Sequence, residues 1–97
     1  MDDKELQKIF EIVLDDSDFI HSKHDMIVKN YKQKIDKKIY DESLARKGLD
    51  YYIPKAIETY NSKSNQFIIL NKDDKETFKE IILKKILEDI SNLGNKS

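Results

Sequence analysis

The sequence contains no cysteine and no tryptophan, and only one proline and two glycines in 97 residues. Without cysteine there is no disulfide framework, no thiolate metal site and no thiol nucleophile, so stability has to come from a packed core. So few glycines and prolines supply too few tight turns for a small barrel or sandwich. Nothing glycine-rich is present to cradle a phosphate, which excludes a P-loop or a dinucleotide-binding fingerprint. Long apolar runs are also missing. The longest, Phe67 to Leu70, has four residues, against about 20 for a membrane span, and it is too short for the apolar region of a signal peptide. The opening Met1-Asp2-Asp3-Lys4-Glu5 is acidic where a targeting peptide is basic. The expectation is a soluble, cytoplasmic protein without membrane association, forming one domain over residues 1–97. Mean hydropathy is −0.73, near the range of disordered chains, but the apolar residues are too regularly spaced for disorder.

Four helical segments emerge from that spacing. In residues 3–14, Leu6, Ile9, Phe10, Val13 and Leu14 share one helical face, with Asp2 and Asp3 placed to cap it. Asp15-Asp16-Ser17-Asp18 ends the pattern and supplies caps for the next helix. In residues 18–34, Ile20, His24, Ile27, Tyr31 and Ile35 form a stripe, with Phe19 and Val28 at its edge and lysines crowding the C-terminal half. A turn follows at Asp36-Lys37-Lys38. The third segment, residues 41–60, has Ala45, Gly48, Leu49, Tyr52, Ile53, Ala56, Ile57 and Tyr60 in one phase. Pro54 lies inside it, so the segment is kinked or broken there; the unbroken phase favours one kinked helix. Small Ala45 and Gly48 permit close approach of another helix. Residues 61–65 are expected to be a polar loop, and residues 67–70 an irregular plug over the end of the bundle rather than a strand. The fourth segment, residues 73–93, starts with a capping-box-like Asp73 and Glu76 and stops at Gly94; residues 95–97 are expected to fray. The fold class is all-α, a small bundle of three to five helices.

Residue types that carry chemistry are sparse. His21 and His24 are the only histidines, and with Asp18 and Asp25 they offer ligand types that zinc accepts. There is no third histidine, and Lys23 stands beside them, so His24 is read as a core-edge residue and His21 as solvated. A calcium loop counted from Asp16 fails, with His21 at the sixth position and Ile27 at the twelfth. No serine stands in a Gly-x-Ser-x-Gly elbow. The expectation is a non-enzymatic protein with no cofactor and no bound metal.

Charge is segregated more than its near-zero total suggests. Residues 1–25 carry eight acids and three bases, residues 26–47 seven bases and three acids, and residues 48–97 eight of each. Opposite the core stripe of the third segment, Tyr40, Leu44, Lys47, Tyr51 and Lys55 fall on a second stripe, flanked by Arg46. Such a stripe can dock on a protein partner, since tyrosine and arginine are common interface anchors. It can also stack on bases and neutralise phosphates, although a single arginine weakens that alternative. The remaining alternative is a structural subunit of a virion or homo-oligomer.

The stretch from Tyr40 through Leu44, Lys47-Gly48, Pro54 and Ala56 to Tyr60 resembles a segment of small, mostly uncharacterised phage and prophage proteins. The resemblance covers about a fifth of the chain and implies origin in a mobile element, with no site residues attached. With the stripe, it leads to the expectation of a phage-encoded regulator or inhibitor that binds a host or defence protein.

Overall fold

A computed structural model describes residues 1–94 as four α-helices: α1 (Asp3–Asp16), α2 (Asp18–Asp36), α3 (Glu42–Ser64) and α4 (Lys72–Gly94). No strand occurs among the described residues. The helices form an all-α bundle with principal extents of 41 × 25 × 21 Å. Residues 95–97, expected to fray, lie outside the described residues, and Gly94 is the last residue of α4.

Side-chain capping sets most of the helix starts. Asp2 accepts the amide of Glu5 at 2.8 Å, Ser17 that of Ile20 at 3.2 Å and Asp41 that of Leu44 at 3.2 Å. Ser17 alone separates α1 from α2. Its own amide donates to the Val13 carbonyl and its carbonyl accepts from His21, so one residue closes one helix and opens the next. The fourth helix is capped two residues before the expected Asp73–Glu76 box: Asn71 accepts the Asp74 amide at 2.8 Å.

The core takes the expected stripes with local shifts. Leu6, Ile9, Phe10 and Val13 of α1 are buried, as are Phe78, Ile82, Leu83 and Ile86 of α4. On α2 the buried line is Ile20, His24, Val28 and Tyr31, while Ile27 is half-buried and Ile35 and Phe19 are exposed. Val28, expected at the edge, thus lies at the centre of the buried line. Phe10 is the meeting point of the bundle. Its ring lies 6.0 Å from His24, 6.4 Å from Tyr52 and 6.1 Å from Phe78, one ring from each other helix.

The third helix is continuous through Pro54, without a break. Pro54 and Asp50 are both exposed, so the carbonyl that loses its partner to proline faces water, where the loss costs least. The helix also runs through residues 61–64, which were expected to be loop. Asn65 closes it in the left-handed conformation at φ 56°, a role asparagine tolerates. Ala45 and Gly48 admit Tyr31, whose hydroxyl donates to the Ala45 carbonyl at 2.9 Å and lies 3.4 Å from where a Gly48 Cβ would sit. Across residues 66–71 the chain is irregular, and only Leu70 is fully buried as a plug.

Candidate functional site

The neighbours of α3 determine which of its faces is free. One flank meets α4, where Arg46 pairs with Glu80 and, at 3.6 Å, with Glu76, and where Lys79 pairs with Asp50. The other flank meets α2 through Tyr31. The inner face carries Ala45, Leu49, Tyr52, Ile53 and Ala56 into the core. At 100° per residue, the outward ridge is then Leu44, Lys47, Tyr51, Pro54 and Lys55. Tyr51 is 83% exposed and Leu44 64% exposed, and both lysines are exposed.

Four of the six stripe residues expected from sequence therefore share one solvent-facing ridge: Leu44, Lys47, Tyr51 and Lys55. The other two are used internally. Tyr40 is half-buried, its ring 5.8 Å from that of Tyr31, and burial followed by the charges of Glu42 and Asp41 raises its phenol above the ordinary value. Arg46 is committed to the carboxylates of α4, and its hydrogen bond to Glu80 is the main reason its guanidinium is held above the usual value. Of the basic middle of the chain, Arg46 and Lys32 are engaged by carboxylates, while Lys29, Lys34, Lys37, Lys38 and Lys47 remain exposed.

The histidines part company. His21 is exposed and 3.4 Å from Asp25, one turn along α2. His24 is buried, and its Nε2 lies 2.7 Å from Asp89 Oδ2 on α4. Asp89 also accepts Lys85 at 3.0 Å. Burial pushes the Asp89 carboxyl up, but the hydrogen bonds from His24 and Lys85 outweigh it and hold the group below its ordinary value. The carboxylate is thus the acceptor, and His24 Nε2–H donates. His24 Nδ1 is buried with no partner. No group of three or more metal-binding side chains occurs among the described residues. Sequence reasoning missed Asp89; the available signal was a histidine within an apolar stripe, which when buried requires a polar partner.

Comparison of the chain with protein-family models, curated proteins and solved structures gives no match. No described helix is long and apolar enough to cross a membrane.

Proposed function

We propose that this chain is a non-enzymatic protein-binding module that engages its partner through the outward ridge of α3. The observation that carries this reading is the exposure of Tyr51 and Leu44 on a helix whose other large apolar side chains are buried or half-buried. An exposed aromatic beside an aliphatic group is the composition of an interface anchor. Lys47 and Lys55 on the same ridge suit a partner groove with an apolar floor and an acidic rim. The resemblance of residues 40–60 to phage and prophage proteins supports the narrower proposal of a mobile-element regulator or inhibitor that occupies a host or defence protein. A nucleic-acid partner is less well supported, because the single arginine is bound to Glu76 and Glu80 and Lys55 lies 3.9 Å from Glu58.

The test is capture from host lysate with wild type and with Leu44→Glu/Tyr51→Glu, whose substituted positions are outside the core. A stoichiometric protein complex held by wild type and weakened at least about tenfold in the variant supports the reading. Recovery of nothing above background, or a complex indifferent to the substitutions, overturns it. Nucleic-acid binding that weakens steeply with salt would favour the alternative.

A further inference from the structure

The connector between α3 and α4 holds the longest apolar run in this chain, Phe67-Ile68-Ile69-Leu70, and its residue types suit a β-strand. From Gln66 to Asn71 the backbone makes no helix, turn or bend. Burial alternates along it: Phe67 is 85% and Ile69 76% exposed, while Ile68 is half-buried and Leu70 buried. A period of two is that of a strand with one face on a core.

The bundle already supplies half of a partner for this strand. The Asn61 side chain donates from Nδ2 to the Ile68 carbonyl at 3.0 Å and accepts the Ile68 amide on Oδ1 at 2.8 Å. This pair of bonds imitates a neighbouring strand at a single residue. In an extended chain the amide and carbonyl of one residue point to the same edge, and those of the residues on either side point to the other. With Ile68 turned toward Asn61, Phe67 and Ile69 turn their backbone groups to the opposite edge. No described protein group bonds them there.

We infer that this free edge pairs with the same segment of a second copy, forming a two-fold dimer centred on Ile68. Antiparallel pairing in that register sets Phe67 of each copy opposite Ile69 of the other, and both positions belong to the hydrogen-bonding edge. Four backbone bonds close, and the two aromatic–branched cross-strand pairs cover all four exposed side chains. A second copy is favoured over an unrelated strand because the donor pattern and the apolar pairs both match themselves under the two-fold. A formal net charge of −1 leaves little repulsion between copies. The segment is short, so the contact lies below the roughly 1,200–2,000 Å² of a stable interface and the dimer is weak. It is separate from the α3 ridge, since Tyr51 lies ten residues, about 15 Å of helix, from Asn61.

The test follows amide exchange by NMR alongside sedimentation from about 20 μM to about 1 mM. The Ile68 amide is expected to be protected at every concentration. Protection at Phe67 and Ile69 should rise at least about tenfold as dimer accumulates. Phe67→Lys/Ile69→Lys should abolish dimer and protection while leaving the helical spectrum intact, and Leu44→Glu/Tyr51→Glu should leave the dimer unchanged. A monomer at the highest concentration overturns the inference. So does a dimer that survives the lysine pair, or protection at Phe67 and Ile69 that appears only when a different protein is added.

Discussion

Three tyrosine hydroxyls sit in the bundle, and only one has a partner. That of Tyr31 donates to the Ala45 carbonyl at 2.9 Å, whereas those of Tyr40 and Tyr52 are buried with none. Burial alone drives the Tyr52 phenol far above its ordinary value. An unpaired buried hydroxyl costs its desolvation and returns nothing, whereas a bonded one contributes about 1 kcal/mol. Urea denaturation should therefore show opposite signs: Tyr31→Phe lowers stability by about 1 kcal/mol, and Tyr52→Phe leaves it unchanged or raises it by up to about 1 kcal/mol. A loss at Tyr52 equal to that at Tyr31 would mean the hydroxyl is bonded after all. Asp89 gives a pH prediction. Its carboxyl is depressed below 3.8 in the fold, so it contributes stability above the unfolded value, and that stability is lost as pH falls through the folded one. The drop in melting temperature from pH 7 to about pH 3 should be smaller in Asp89→Asn than in wild type; equal drops would refute the assignment. The sequence placed His24 correctly within an apolar stripe, but its acceptor is 65 positions away, and no local pattern reveals a pairing at that separation.

At the level of helices, periodicity was a good guide where one face is buried and a poor one where composition and environment disagree. The polar string Asn61-Ser62-Lys63-Ser64 reads as loop, yet it is the last turn of α3, with the Ser64 hydroxyl donating to the Tyr60 carbonyl at 2.7 Å and Asn61 holding the next segment. At Pro54 the unbroken apolar phase favours one helix over a break, and the helix does continue, its lost bond lying on the exposed side. The helical placement of the polar string is visible only once the solvent side of α3 is known. Pro54→Ala should restore the bond to the Asp50 carbonyl and raise stability by about 1–3 kcal/mol. Gly48→Ala should add about 0.5–1 kcal/mol, since its new methyl meets Tyr31 at an ordinary 3.4 Å. Chemical denaturation of the single variants checks both, and a loss at Gly48 would show that Tyr31 cannot give way.

For the whole molecule, the four-helix architecture was readable because four apolar stripes without disulfides can be buried only against one another. Their mutual arrangement was not readable, since it depends on which side chain fills the centre. That residue is Phe10, with rings of α2, α3 and α4 around it. Phe10→Ala should cost about 3–5 kcal/mol, a large share of the roughly 5–15 kcal/mol that holds a small domain together. In the wild-type chain circular dichroism and tyrosine fluorescence should lose their signals together, since one ring serves every helix. Separate transitions for the two probes would indicate that the helices do not share one core. Long-range charge pairing was equally hidden: the opposite-sign groups of α3 and α4 become neighbours only through the fold.

Ser17 makes the join between α1 and α2 a coupling without slack. Each residue of a helix advances it by 100°, so one residue added at this join would turn the whole of α2 about its axis by more than a quarter revolution. Ile20, His24 and Val28 would swing out of the core together. The connector between α3 and α4 is held only at points, by Asn61 at Ile68 and by burial at Leu70, so length added ahead of Phe67 would be absorbed locally without turning a helix. Two chain connections in one small protein thus differ in how much length variation they tolerate.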